Sequence, residues 1–116
     1  MVEVITTDEF RDWFESLSDE HAKATAQVIE MLEVEGTELG FPRSSALKGS
    51  RYPLRELRVK AGGAQIRIAY AFDPQRDAVL ILGGTKEGDD RFYRWLIPAA
   101  ERIWEQYLAE QAGGEP

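Results

Sequence analysis

Five side chains that could act on a phosphate lie in the middle and later part of the chain: Arg58, Arg67, Lys86, Tyr93 and Glu56. Arg58 and Glu56 are two residues apart, so a strand places both on one face, where a neighbouring strand can add Arg67. Lys86 follows a Gly-Gly pair near the predicted start of the last helix. Backbone N–H groups at a helix N-terminus favour an anion, and Lys86 could close over it.

These residue types allow RNA cleavage without a metal ion. Attack by a ribose 2′-hydroxyl on its neighbouring phosphate needs cations for the added negative charge and groups that move two protons. Glu56 is the acceptor nearest to the basic strands and is the candidate general base. Tyr93 lies one turn into the last helix and can project to the same end of the sheet. The alternative for these residues is structural: a surface ion pair between Arg58 and Glu56, and ordinary helix packing for Tyr93.

Positive charge is concentrated in the middle of an acidic chain of net charge −7. Residues 1–42 carry two cations and eleven carboxylates, whereas residues 43–94 carry eleven cations and six carboxylates. A local excess of cations is typical of a surface that binds a polyanion. Other residues of this segment that are candidates for RNA contacts are Lys48, Arg51, Arg55, Arg91 and Arg94.

Several classes of site are excluded by residues that the chain lacks. It has no cysteine, which excludes disulfides, thiol catalysis and cysteine-ligated zinc. Its one histidine, His21, is far along the chain from the basic strands, which argues against a histidine-pair nuclease or a Ser-His-Asp hydrolase. No HExxH, Walker or GxGxxG motif occurs, so we predict no metal and no cofactor. The absence of a long apolar run or signal pattern predicts a cytoplasmic protein with no membrane partner.

The first half of the chain predicts a strand and two helices. Residues 1–5 are mostly apolar and rich in β-branched side chains, as in a strand. Thr6 and Glu9 have the spacing of a capping box that starts the first helix. Ser18 caps the second helix, and Gly36 ends it.

The second half predicts three strands and a final helix. The strands cover residues 54–60, 65–72 and 78–82, with a hairpin turn at 61–64 and a strand break at the Gly-Gly pair that follows residue 82. The last helix starts at Asp89 and is kinked or restarted at Pro98. The fold class is α+β: a twisted, mostly antiparallel sheet in the order β-α-α-β-β-β-α, with helices on one face. Residues 1–111 form one domain, and residues 112–116 form a disordered tail.

Alternation in residues 65–72 assigns a face to each side chain of that strand. Arg67, Ala69 and Ala71 share the face opposite the apolar residues. We therefore expect Arg67 to stand on a concave, accessible floor.

The order and spacing of four short segments resemble the RelE/HigB toxin family, particularly its phage-derived branch. The segments are Leu47-Lys48-Gly49-Ser50, Leu54-Arg55-Glu56-Leu57-Arg58, Ile66-Arg67-Ile68 and Gly84-Thr85-Lys86. The resemblance runs from the first strand to the last helix and implies a RelE-like fold. It also implies a ribosome-dependent endoribonuclease that cuts mRNA in the decoding site and is silenced by a cognate antitoxin, of the helix-turn-helix type.

The resemblance implies a role for each candidate residue. Arg58 and Arg67 match the strand arginines that stabilise the cleaved phosphate, Lys86 matches a basic residue after the last strand, and Tyr93 matches an aromatic that stacks on a base. Glu56 and Glu87 stand at places that are basic in some relatives.

The resulting hypothesis is an mRNA interferase, the toxin of a type II toxin–antitoxin system. The alternative is a protein-binding module of the same superfamily, either a gyrase-inhibiting ParE-like toxin or a protein that binds only its antitoxin. A nuclease requires Arg58, Arg67 and Lys86 to converge on one open site. A protein binder would instead present an exposed apolar patch there.

Overall fold

A five-stranded mixed sheet with three helices makes up the part of the chain that the computed structural model describes, residues 1–113. The strands are β1 (Val4–Thr6), β2 (Ser44–Ala46), β3 (Arg55–Ala61), β4 (Ala64–Phe72) and β5 (Ala78–Thr85). The helices are α1 (Asp8–Glu15), α2 (Asp19–Glu35) and α3 (Asp89–Gly113), and a 3-10 turn spans Gly36–Glu38. The sheet order is β1-β5-β4-β3-β2, with β1 parallel to β5 and the other pairs antiparallel. The predicted α+β class with a mostly antiparallel sheet is confirmed.

The observed helix caps match the predicted ones at α2 and differ from the prediction by one residue at α1. Ser18 accepts a hydrogen bond from the His21 amide, and Gly36 follows α2 with a φ of 57°. At α1 the cap is Thr7, whose hydroxyl accepts from the Phe10 amide at 3.0 Å. The predicted cap, Thr6, is instead the last residue of β1, where it pairs with β5, so the helix starts one residue later.

Helices cover both faces of the sheet, so the prediction that all helices lie on one face is wrong for α3. One apolar cluster joins α1 and α2 to residues of β4 such as Ile66 and Ile68. The second cluster joins Phe92 and Leu96 of α3 to the opposite face of the same strand. The β4 residues of this second cluster are Ala69 and Ala71, whose short side chains let α3 pack closely. The face that was predicted to be open is therefore covered by α3.

Two glycines lie inside β5 rather than ending it, contrary to the predicted strand break. A Cβ built on Gly83 would lie 2.5 Å from Cζ3 of Trp13 in α1, and one on Gly84 would lie 3.0 Å from Cε1 of Phe92 in α3. α1 and α3 therefore contact β5 from opposite faces, and only glycine leaves room for their aromatic side chains. Gly62 and Gly63 have φ values of 54° and 85° and form the predicted two-residue hairpin turn between β3 and β4.

The last helix is continuous through Pro98, so of the two predicted alternatives the restart is wrong and the kink stays a prediction. The helix extends to Gly113, two residues into the predicted tail, and the rest of that tail lies outside the described residues. No helix within residues 1–113 combines the length and apolar character needed to span a bilayer.

Candidate functional site

The carboxylate of Glu56 is the centre of a buried polar cluster where β2, β3 and α3 meet. Glu56 is only 5% exposed. Its Oε1 accepts a hydrogen bond of 2.7 Å from the Tyr93 hydroxyl, and its Oε2 accepts one of 3.2 Å from the Ser45 hydroxyl. Arg58 approaches the same Oε2, with Nη1 at 3.5 Å.

Arg58 and Arg67 are directly opposite each other in the pairing of β3 with β4. Like charges in that position repel. Glu56 is displaced by two residues along β3 and lies diagonally across from Arg67, with 4.0 Å between Arg67 Nε and Glu56 Oε1. One carboxylate therefore offsets two guanidinium groups, and the predicted grouping of these three side chains on one face is what the structure contains.

Arg67 is buried, contrary to the expectation of an accessible cation. It is 2% exposed, whereas Arg58 is partly exposed. Its Nη1 donates to the carbonyl oxygen of Ile66 at 3.1 Å, and its Nη2 donates to Oε1 of Gln65 at 3.2 Å. The burial follows from the position of α3, which closes over this face of β4.

Tyr93 and Lys86 complete the cluster from the start of α3 and the end of β5. Lys86 Nζ lies 5.7 Å from the centre of the Tyr93 ring, within cation–π distance. The Lys86 backbone is fixed by its amide, which donates to the Gln65 carbonyl at 2.7 Å. Burial raises the pKa of the Tyr93 hydroxyl, and its hydrogen bond to Glu56 raises it further, against the opposing positive charge of Arg67. Tyr93 is therefore neutral, and available as a hydrogen-bond donor, across the physiological pH range.

A groove of about 470 Å³ opens beside this cluster. Arg58, Glu56 and Tyr93 line it, together with Lys48 from the loop after β2. All four were candidates from the sequence. Ser45 and Phe41, which also line the groove, were not, because a serine in a three-residue strand and an aromatic in a loop carry no distinctive spacing.

The other basic candidates are dispersed. Arg94 lies beside Tyr93 on a shallow surface of α3, and Arg91 is exposed on the same helix. Arg51 is paired with Glu105 of α3, with 2.5 Å between its Nη2 and Oε2 of the glutamate. Arg55 is on the opposite face of β3 from Glu56, where its Nε donates to the Ser44 hydroxyl at 3.1 Å and to Tyr70 at 3.3 Å. The structure brings neither Arg51 nor Arg55 to the groove.

The Arg51 pairing belongs to a contact between the loop after β2 and α3. Glu101 accepts hydrogen bonds from the Arg51 amide at 2.9 Å and from the Ser50 hydroxyl at 2.8 Å, which lower the pKa of the Glu101 carboxyl. Tyr52 donates to Glu105, and that bond raises the pKa of the tyrosine. This contact fixes the loop that carries Lys48. Within residues 1–113, no three His, Cys, Asp or Glu side chains are grouped so that they could hold a metal ion.

Comparison with known proteins gives one family and two named relatives. Residues 12–105 match the family described as phage derived protein Gp49-like (DUF891). A protein of Mycobacterium tuberculosis (strain ATCC 25618 / H37Rv) named "Putative toxin HigB3" is 38% identical over 113 residues, which cover 96% of this chain and 97% of the relative. A second protein of that strain, "Putative toxin HigB2", is 35% identical over 109 residues, which cover 90% of this chain and 53% of the relative.

Proposed function

Because the chain belongs to the phage-derived Gp49-like family, we propose that it is the toxin of a type II toxin–antitoxin system and cleaves mRNA as an endoribonuclease. The observation that carries this proposal is the convergence of Glu56, Tyr93, Arg58 and Lys86 beside an open groove. The names of the two relatives support the toxin assignment. The RelE/HigB resemblance supports mRNA on the ribosome as the substrate, and the cytoplasm as the site of action.

The proposed reaction is a transfer within the RNA. The 2′-oxygen forms a bond to the adjacent phosphorus while the bond from phosphorus to the 5′-oxygen breaks. Glu56 takes the proton of the 2′-hydroxyl, and Lys86 gives a proton to the departing 5′-oxygen. The products are a 2′,3′-cyclic phosphate and a 5′-hydroxyl.

The positions of Arg58, Arg67 and Tyr93 support a different role for each in the reaction. Arg58 is partly exposed on the groove and contacts the phosphate, where it stabilises the charge of the pentavalent phosphorus. Arg67 is buried behind Glu56 and acts as a positioning residue that holds the carboxylate. The Tyr93 hydroxyl fixes Glu56, and its ring offers a surface to a base.

Expression of the chain without a partner, followed by mapping of mRNA 5′ ends, tests the proposal. We expect growth arrest and new 5′-hydroxyl ends within coding regions, both lost in R58A and E56Q. A matched variant, R76A, changes an exposed arginine in the turn between β4 and β5 and should retain the arrest. Arrest with intact mRNA and lost DNA supercoiling would contradict the nuclease and favour the gyrase-inhibiting alternative.

We further propose that the antitoxin docks on the acidic helical side through a basic segment. α2 carries Glu30, Glu33 and Glu35 in its last turns, and the chain up to residue 42 has eleven carboxylates against two cations. Opposite charge of this kind accelerates association and is screened by salt. The triple variant E30K/E33K/E35K should associate more slowly at low salt and normally at high salt. Unchanged association of that variant, combined with loss of binding in R58A, would place the antitoxin over the groove instead.

A further inference from the structure

A second groove, of about 430 Å³, runs between α2 and the edge of β3. It exists because β2 is short: β2 pairs only with Arg55–Leu57, and β3 continues for four more residues beside α2. Arg58 lines this groove as well as the one beside Glu56, so the two grooves meet at that side chain.

The second groove is basic in an acidic protein. Its lining contains the cations Arg43, Arg58, Lys60 and Arg67, and no carboxylate among the lining residues that the structure describes. The whole chain has a net charge of −7, so this groove is a local reversal of sign. Four cations around a cleft of this size favour a ligand with more than one negative charge.

An exposed aromatic stands where the grooves meet. Phe41 lines both of them and is 78% exposed, and the guanidinium carbon of Arg58 lies 5.6 Å from the centre of its ring. Isolated exposed apolar residues are common. This one, however, offers a flat ring beside an arginine at the junction of two cationic clefts, which is the combination that stacks an unpaired nucleobase.

Arg67, one of the residues that line the second groove, has a buried donor without a hydrogen bond. Its Nε makes no hydrogen bond to any residue in the described part of the chain, although the residue is only 2% exposed. The nearest carboxylate oxygen, Oε1 of Glu56, is 4.0 Å away. A buried donor without a partner is costly unless a ligand or water satisfies it.

We infer that this second groove is a subsite for the nucleotide next to the cleaved one, with Phe41 as the base-stacking residue and Arg43 and Lys60 as phosphate contacts. The inference rests on the proposed function, because Arg58 would hold the phosphate shared by the two nucleotides. Single-stranded RNA therefore crosses Arg58 from one groove into the other. RNA in a duplex cannot use the site, because its bases are already stacked.

Binding of short RNA to the intact protein tests the inference without turnover. The probes are fluorescent single-stranded oligonucleotides of two to eight nucleotides with 2′-O-methyl riboses, which cannot be cleaved. Affinity for the wild type should rise as the probe grows beyond two nucleotides. F41L should lose roughly tenfold in affinity for the longer probes, and F41W should restore it. K60A should weaken binding and lower the slope of log affinity against log salt by about one.

Two matched variants serve as controls. W95L removes another exposed aromatic, on α3, and K23A removes a cation from α2 outside the groove lining. Both should bind RNA as the wild type does. Phe41 and Lys60 are exposed, so F41L and K60A should fold, which the unfolding midpoint verifies.

The possible results separate the inference from the proposed function. RNA binding that falls in R58A but is unchanged in F41L and K60A overturns the subsite and leaves the nuclease intact. No RNA binding by the wild type overturns the subsite, whereas the nuclease is overturned by intact mRNA in the expression experiment described above. Normal RNA binding by F41L together with weakened antitoxin binding would make the groove a protein-docking surface, and so would also overturn the subsite.

Discussion

The Tyr93 hydroxyl in α3 donates a 2.7 Å hydrogen bond to Oε1 of Glu56 in β3. The helix that covers one face of the sheet therefore also holds the candidate general base. Packing of α3 and geometry of the site are coupled through this bond, and a change in one should be measurable in the other.

Removal of the Tyr93 hydroxyl should reduce both stability and cleavage. In Y93F the buried Glu56 carboxylate loses a donor, and we expect the free energy of unfolding to fall by about 1–3 kcal/mol. Cleavage of mRNA should fall as well, because the carboxylate is no longer fixed. Y107F is the matched control: the Tyr107 hydroxyl donates to Oδ2 of Asp73 at 2.9 Å, far along α3 from the site. Denaturant unfolding and a cleavage assay should show stability loss in both variants but reduced cleavage only in Y93F.

Glu56 and Arg67 should be coupled in a double-mutant cycle. R67M leaves a buried carboxylate with one cation fewer, and we expect a loss of about 1–3 kcal/mol in the free energy of unfolding. In E56Q the two opposed arginines lose the charge that offsets them. The double variant E56Q/R67M should be more stable than the sum of the single effects implies. Additive effects on stability would contradict the coupling.

The same double variant separates folding from catalysis. Its stability should partly recover, but cleavage should remain about 100-fold or more below the wild type, because the base is missing. If cleavage recovers together with stability, Glu56 has only a structural role.

Lys48 and Arg55 should show opposite effects on binding and stability. K48A removes an exposed cation from the groove beside Glu56, so RNA affinity should fall while stability changes by less than about 0.5 kcal/mol. R55A breaks contacts with the hydroxyls of Ser44 and Tyr70 on the other face, so stability should fall by about 1 kcal/mol while RNA affinity is kept. Fluorescence anisotropy with a single-stranded RNA and thermal unfolding give the two measurements. The reverse pattern would contradict the placement of RNA in the groove beside Glu56.

Alkaline pH should weaken the fold in part through Tyr107. Burial and the hydrogen bond to Asp73 raise the pKa of this tyrosine to about 12. Its contribution is complete below the ordinary tyrosine pKa of about 10 and is lost as pH rises through the folded value. Y107F should therefore lose less stability than the wild type between about pH 10 and 12. Y107F should keep part of the pH dependence, because the pKa values of Tyr52 and Tyr93 are also raised. An equal loss of unfolding free energy with pH in Y107F and the wild type would contradict the role of Tyr107.

Gly83 should tolerate no side chain. In G83A the new methyl group meets the Trp13 ring, and we expect a loss of about 1–3 kcal/mol in the free energy of unfolding. G40A is the matched control, since the nearest atom to a Cβ there is 4.0 Å away. A loss in G83A no larger than in G40A, measured by chemical denaturation, would show that α1 can move away from β5.

The sequence predicts most elements of this fold because their signals are local. Ser18, Gly36 and the Gly62-Gly63 turn each determine a boundary through their own backbone chemistry. β2 is missed because three small residues have no periodicity, and it is held in the sheet by its pairing with β3.

The wrong predictions about the site, an open floor and an accessible Arg67, have a common physical cause. Alternation correctly assigns Arg67, Ala69 and Ala71 to one face, but small residues suit an open floor and a closely packed helix equally well. Local pattern cannot distinguish the two, because the covering helix begins many residues later. The burial of Arg67 follows from that helix. The grouping of Glu56, Arg58 and Arg67 was predictable because it follows from the spacing along each strand and from the short hairpin turn that pairs β3 with β4.

The parallel pairing of β1 with β5 has a consequence for synthesis in the cell. Val4 lies beside Ala78 and Thr6 beside Leu80, so the first strand to leave the ribosome has no partner until most of the chain has followed. Tyr93 comes later still, and without it the Glu56 carboxylate lacks its donor from α3. Contacts between such distant positions form late in folding. A nascent chain of this protein should therefore be harmless while it is being translated, and that interval gives a partner time to bind before the site is complete.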